Sequence, residues 1–173
     1  TGEGDVIDVS QYESCLRVQG YGPLMYTTTG EQLKRTGNKE APYAGIDVFE
    51  CKDGNYCVVQ VSGRPAAKAI AALLGLDDEE HFIEGRPTLN GTPQGDRLDG
   101  AIKAFCLERT PDEVETQLKA IGVACAPINN YEMLMSNPHV IARNDFVEWY
   151  DEASEQTLKG VAVLTPVKNN PGQ

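Results

Sequence analysis

Residues 46–61 contain two apolar runs, Ile46-Asp47-Val48-Phe49-Glu50-Cys51 and Tyr56-Cys57-Val58-Val59-Gln60-Val61, separated by Lys52-Asp53-Gly54-Asn55. An Asp-Gly pair between such runs is a strong local signal for a β-hairpin. A two-stranded hairpin is marginal in water by itself, so the rest of the chain must cover it. That requirement constrains the fold more than any other feature. The length of the turn then decides which side chains share a face. A two-residue turn at Asp53-Gly54 pairs Cys51 with Tyr56 and sends Cys57 to the opposite face. Ile46, Val48, Cys57, Val59 and Val61 then lie on one side, and Phe49, Cys51, Tyr56 and Val58 on the other. A three-residue turn shifts the register by one and places the two thiols opposite each other. Both faces are apolar, which predicts a sheet covered on both sides or placed at an interface.

Helices follow the hairpin. Pro65 suits a first turn, Ala66, Ala67, Ile70, Leu73 and Leu74 form one stripe, and Gly75 ends it. Residues 77–94 are acidic and then rich in Gly and Pro, which predicts a loop. Leu98, Ala101, Ile102, Phe105 and Cys106 recur at helical spacing. Thr110-Pro111-Asp112-Glu113 combines N-cap, N1 proline and capping-box acid, opening a helix that buries Val114, Leu118 and Ile121 and ends at Gly122. Val123–Ile128 reads as a strand, Tyr131–Met135 as a short helix, and Asn137-Pro138 as the start of another. Phe146–Tyr150 and Val161–Leu164 read as closing strands.

The N-terminal part differs in character. Asp5–Val9 alternates like a short strand, and Ser10 with Glu13 caps a helix that runs, interrupted by glycines, to about Thr28. Thr29–Ala44 is polar and aperiodic, the composition of an interdomain linker. The whole is α+β: a hairpin-containing sheet with several packed helices. The chain has no initiating Met and begins Thr1-Gly2-Glu3-Gly4, so it reads as part of a longer protein.

A net charge of −11 over 173 residues argues against a nucleic-acid face or an anionic membrane as partner, and suits a well-dispersed cytoplasmic surface. No run approaches the roughly 20 apolar residues of a bilayer span, and no signal peptide is visible. The five cysteines lack the close spacing of a zinc knuckle and are read as reduced thiols, with Cys15 and Cys106 on apolar helical stripes. His81 and His139 have no Cys, His or acid at ligand spacing, so both are read as structural. Gly2-Glu3-Gly4 precedes a strand where a dinucleotide loop would follow one, and no P-loop exists.

Several short motifs in order carry a family resemblance. Thr1-Gly2-Glu3-Gly4 with the strand and helix after it resembles the Thr-Gly-x-Gly segment of family III CoA-transferases. Arg35-Thr36-Gly37-Asn38, Pro42-Tyr43-Ala44-Gly45, Cys51-Lys52-Asp53-Gly54, Ile121-Gly122-Val123-Ala124-Cys125-Ala126-Pro127, Asn137-Pro138 and Lys168-Asn169-Asn170-Pro171-Gly172-Gln173 continue it along the whole chain. The Tyr43-Ala44-Gly45 element and the Asn-Asn-Pro-Gly-Gln tail look most similar to the carnitine (crotonobetainyl-CoA-dependent) branch.

The resemblance implies a two-domain subunit in an interlocked homodimer. Residues 1–28 would be a strand and helix of a Rossmann-like CoA-binding large domain, 29–45 a linker, 46–164 the small α+β domain, and 165–173 a return toward the large domain. It implies CoA transfer between an acyl-CoA and a small carboxylic acid, carnitine-like or bile-acid-like, through an aspartyl-CoA intermediate. The nucleophilic Asp would lie outside this chain, so no catalytic residue, metal or bound cofactor is assigned here; CoA is a co-substrate of the full-length enzyme, and this chain alone is expected to be inactive. In part of the family a glycine-rich loop covers the intermediate. By the same resemblance Pro42, Tyr43, Ala44 and Gly45 take its place as the expected substrate-binding residues, and Pro42 and Tyr43 stiffen the run. An acyl-CoA racemase of the same superfamily and a non-catalytic assembly module are the rival expectations.

Overall fold

The computed structural model describes residues 2–40 and 42–162. The chain divides between Asn38 and Lys39 into two compact units. The expected return segment 165–173 and residues Val163-Leu164 lie outside the described residues.

In the first unit, α1 (Gln11–Val18) is capped by Ser10, whose Oγ accepts from the Glu13 N–H at 3.4 Å. Helix α2 (Gly22–Thr29) begins with Pro23 in its first turn and ends at Gly30, in the left-handed region at φ 74°. Neither helix buries a residue, and Val6, Ile7 and Val9 are 91%, 85% and 72% exposed. Asp5–Val9 is not a strand, contrary to its alternation. A strand needs a neighbour for its backbone ladder, and among the described residues none pairs with it.

The second unit is built on an antiparallel sheet of β1 (Ile46–Glu50), β2 (Tyr56–Gln60) and β3 (Ala124–Pro127), with β2 in the centre. Phe49 pairs with Cys57 and Glu50 with Tyr56, and the Cys51 N–H donates to the Asn55 carbonyl at 2.7 Å. The two-residue turn at Asp53-Gly54 is therefore not used. The loop is Lys52-Asp53-Gly54, and the Asp53 carboxylate accepts from the Asn55 N–H at 3.1 Å, closing it locally. The one-residue shift puts Phe49, Cys51, Cys57 and Val59 on one face, all buried, with Cys125 from β3. Cys51 and Cys57 are diagonal neighbours on that face, because Phe49 stands directly opposite Cys57. On the other face Tyr56 and Val58 stay exposed.

Three helices cover the inner face. They are α3 (Gly63–Leu73), α5 (Pro93–Leu107) and α6 (Pro111–Ala120). Ile70 from α3, Leu98, Ile102 and Cys106 from α5, and Val114 and Leu118 from α6 form one core with the strand residues. Between α3 and α5 the expected loop contains a short helix, α4 (Glu80–Ile83), which buries Phe82. Its single turn is too short to show a period in sequence. Helix α5 starts at Pro93, where the Thr92 hydroxyl caps it by accepting from the Gly95 N–H at 3.1 Å.

Thr110 and Glu113 form a complete capping box at the start of α6. Replacing Thr110 by Ala is expected to lower unfolding stability by about 1 kcal/mol, measured by urea denaturation; no loss would show that the box is redundant with the packing of Val114 and Leu118.

Beyond β3 lie α7 (Tyr131–Ser136) and α8 (Pro138–Arg143), the latter capped by Asn137, whose carboxamide oxygen accepts from the His139 N–H at 2.9 Å. A second hairpin follows, β4 (Phe146–Asp151) with β5 (Gln156–Val161). The last strand therefore lies mostly before the Val161–Leu164 run that its apolarity suggested. A Cβ at Gly160 would sit 2.8 Å from the Trp149 ring, so the indole lies across the facing strand.

Candidate substrate pocket

Residues 42–45 are not a free strap. Their backbone is tied to the loop before α5 and to α5 itself. The Asn90 N–H donates to the Pro42 carbonyl at 2.8 Å, and the Asn90 side-chain amide donates to the Tyr43 carbonyl at 2.8 Å and to Glu40 at 3.1 Å. The Ala44 N–H donates to the Thr88 carbonyl at 2.9 Å, and the Gly45 N–H to the Asp99 carboxylate at 2.7 Å. Asp99 also receives the Lys39 ammonium at 2.5 Å, a bond that raises the lysine pKa above its ordinary value. Gly45 has φ 77°, and a Cβ there would meet Val61 at 2.9 Å and Leu98 at 3.1 Å. Glycine is required on both counts. A segment with this many ties is a fixed wall, in keeping with the stiffness expected of Pro42 and Tyr43.

That wall bounds a cavity of about 490 Å³ whose lining includes Tyr43, Ala44, Val61, Arg64, Arg86 and Leu98. Pro42 and Gly45, expected beside Tyr43 and Ala44, are not part of the lining and contribute backbone hydrogen bonds to the wall. Thr88, also at the cavity, is buried and its hydroxyl is 2.9 Å from His81 Nε2. His81 thus supports the wall through Thr88.

The two arginines differ in their surroundings. Arg86 is held by Glu84, Nε to carboxylate at 2.5 Å, with Glu80 at 3.6 Å. The Glu84 carboxyl is kept below its usual range first by that hydrogen bond, with Arg64 and Lys68 acting through space. Arg64 forms no ion pair among the described residues. It stands in the first turn of α3, where Ser62 at the N-cap makes no side-chain bond to the helix. A cation there faces the positive end of the helix dipole, an arrangement that an anion relieves. The pocket therefore has a guanidinium with no ion pair among the described residues, a helix N-terminus, an aromatic ring and aliphatic side chains.

Neither Arg64, Arg86 nor Thr88 stood out in the sequence, and Leu98 did so only as a core position of a helix. They lie far from Tyr43 along the chain and arrive through tertiary packing. One signal was readable: Arg64 just before Pro65, in the first turn of a helix with no acid there, is a local conflict of the kind found at functional positions. Among the described residues, no group of three or more His, Cys, Asp or Glu is placed to hold a metal ion, and no helix is long and apolar enough to cross a membrane.

Comparison with known proteins agrees with this architecture. Residues 1–173 match CoA-transferase family III. Over 180 aligned residues the chain is 33% identical to bile acid CoA-transferase BaiK of Clostridium scindens, covering all of this chain and 40% of that protein. A CAIB/BAIF family protein from Brucella suis superposes with a TM-score of 0.68 at 20% identity, over 98% of this chain and 43% of its own. Rv3272 of M. tuberculosis superposes with a TM-score of 0.64 at 15% identity, again over 98% and 43%. The chain belongs to CoA-transferase family III. It spans less than half the length of each of these relatives.

Proposed function

We propose that the full-length protein moves CoA between carboxylic acids and that this chain supplies the wall that receives the acid. The observation that carries the reading is Arg64, a guanidinium with no ion pair among the described residues, which stands at a helix N-terminus and lines a cavity bounded by Tyr43. Arginine meets a carboxylate with two parallel N–H donors, which fixes orientation as well as charge. Family membership supports the reaction class.

In the proposed reaction of the whole protein, the nucleophile is an Asp outside these residues. Its carboxylate attacks the acyl-CoA carbonyl, forming a mixed anhydride and releasing CoA as thiolate. The thiolate attacks the aspartyl carbonyl, giving aspartyl-CoA and the free donor acid. The acceptor carboxylate then reverses both steps. Arg64 holds the arriving carboxylate, while the fixed wall excludes water from a thioester that water would hydrolyse.

Two acceptor types fit the lining. A carnitine-like zwitterion would place its carboxylate on Arg64 and its trimethylammonium on the Tyr43 ring. A bile acid would lay its apolar skeleton along Val61 and Leu98. Similarity to a bile acid CoA-transferase supports the second, and the Tyr43-Ala44-Gly45 element the first.

The domain assignment completes the proposal. Residues 1–28 belong to a CoA-binding large domain, 29–45 to a linker and 46–164 to the small domain, with 165–173 returning. Exposed Val6, Ile7, Val9 and Tyr12 suit a segment covered by other parts of the full-length protein. The proposed enzyme is a cytoplasmic, interlocked homodimer, with no turnover from this chain alone.

The test supplies the full-length protein with a CoA thioester and either carnitine or a bile acid, and follows the new acyl-CoA by mass. Transfer to either acceptor is the expected result, together with none from residues 1–173 alone. Loss of optical purity in an α-methylacyl-CoA, without any transfer, would replace this reading by a racemase.

A further inference from the structure

Four of the five cysteines meet in the core between the sheet and two helices. Cys51 directly follows β1, Cys57 lies in β2, Cys106 in α5 and Cys125 in β3, and all four are buried. Their contacts radiate from Cys57. Its sulfur lies 3.7 Å from the Cys51 sulfur and 3.8 Å from that of Cys106, and Cys125 stands diagonally across from it on the neighbouring strand. Among the described residues no such group is placed to hold a metal ion. The cluster lies outside the substrate pocket, and nothing in the transfer chemistry uses it.

We propose that Cys51 and Cys57 form a disulfide site that closes when the protein meets a peroxide, with Cys57 the sulfur oxidised first. Cys57 is the common neighbour of the other three thiols, so whichever partner reacts, it reacts with Cys57. Cys51 is the partner whose approach disturbs least. The two sulfurs must move from 3.7 Å to about 2 Å apart. Cys51 adjoins the exposed Lys52-Asp53-Gly54 loop, which can yield. Pairing with Cys106 would instead pull on α5, and pairing with Cys125 on β3.

The thiols' acidities have the same order. Burial, then the contact with Cys57, pushes the Cys51 thiol up to about 12, so it stays protonated. S–H donors from Cys106, Cys125 and Cys51 favour the charged form of Cys57, against its burial. Cys57 is thus the first of the four to offer the nucleophilic thiolate that peroxide chemistry needs. Peroxide suits the site because it is little larger than water.

The steps balance. The Cys57 sulfur attacks one peroxide oxygen; an S–O bond forms, the O–O bond breaks, and the released hydroxide takes up a proton as water. The Cys51 sulfur then attacks the Cys57 sulfenic acid; the S–S bond forms, the S–O bond breaks, and the departing hydroxide leaves with the Cys51 proton as a second water. Two thiols are oxidised by two electrons and one peroxide is reduced.

Lys52 lies between the two cysteines, so trypsin leaves them on separate peptides unless a disulfide joins them. The full-length protein is treated with hydrogen peroxide, unfolded in an alkylating reagent, digested and mapped by mass. The expected product is the Cys51 and Cys57 peptides joined and two hydrogens lighter than their sum, with Cys106 and Cys125 alkylated. In Cys51→Ala, Cys57 should be trapped by dimedone as a sulfenic acid; in Cys57→Ala, no disulfide should form among the remaining three. Full alkylation of Cys57 in the unsubstituted protein, at a peroxide dose that oxidises exposed Cys15, would overturn the proposal. So would a buried disulfide in Cys57→Ala. The first result needs no variant and does not depend on one folding.

Discussion

Replacing Arg64 by Ala in the full-length protein is expected to raise the KM for the acid acceptor roughly 10- to 100-fold, with a much smaller change in kcat. A charge-assisted pair with a carboxylate contributes about 1.5–3 kcal/mol, and each 1.4 kcal/mol is tenfold in affinity. The guanidinium forms no ion pair among the described residues, so its removal leaves no buried partner stranded. Stability should move the other way. Taking a cation from the first turn of α3 removes an unfavourable interaction with the helix dipole, worth about 0.3–1 kcal/mol at most at an exposed position. A residue with a merely structural role would lower stability and leave KM alone. Steady-state kinetics with varied acceptor, alongside urea denaturation, separates the two. An unchanged KM in a folded variant would remove Arg64 from the acid site.

The largest loss of stability is expected from Ile102→Ala. Ile102 is 1% exposed and stands on α5 among the residues that close the inner face of the sheet. Deleting its branched side chain removes transfer energy and leaves a cavity, together costing about 2–5 kcal/mol. The matched control is Val6→Ala. Val6 is 91% exposed, and within this chain its truncation should change stability by less than about 0.5 kcal/mol. Urea denaturation followed by far-ultraviolet circular dichroism measures both. Equal effects at the two positions would mean that the core does not lie where α5 meets the sheet.

Helices with strong local signals were legible in the sequence. Thr110-Pro111-Asp112-Glu113 marked the start of α6, and Leu98, Ile102 and Cys106 marked the buried stripe of α5, all buried as expected. Caps and stripes can be read locally because they involve residues three or four apart. Shorter-range ambiguity defeated other readings. Asp53-Gly54 satisfies a two-residue turn, yet the Asp53 carboxylate closes a three-residue loop and turns Cys57 inward. Helix α4 has one turn and no period. Asp5–Val9 alternates as a strand should, but alternation cannot create a pairing neighbour.

The pocket was legible only in part. Tyr43 and Ala44 came from a motif and do line the cavity, whereas Arg64 reaches it only because the fold brings the first turn of α3 there. Its one local sign was a cation at the wrong end of a helix.

By itself the sequence determined the kinds of element, most of their ends, the acidic surface and a family resemblance, because these depend on composition and on neighbours a few residues apart. Tertiary structure alone decided the hairpin register, the meeting of four thiols around Cys57 and the arrival of Tyr43 and Arg64 at one cavity. The physical reason is common to all three. A one-residue slip in a turn costs little locally, but it exchanges the two faces of a strand. Only the helices packed against the sheet make one face the buried one, and that choice decides which distant side chains meet.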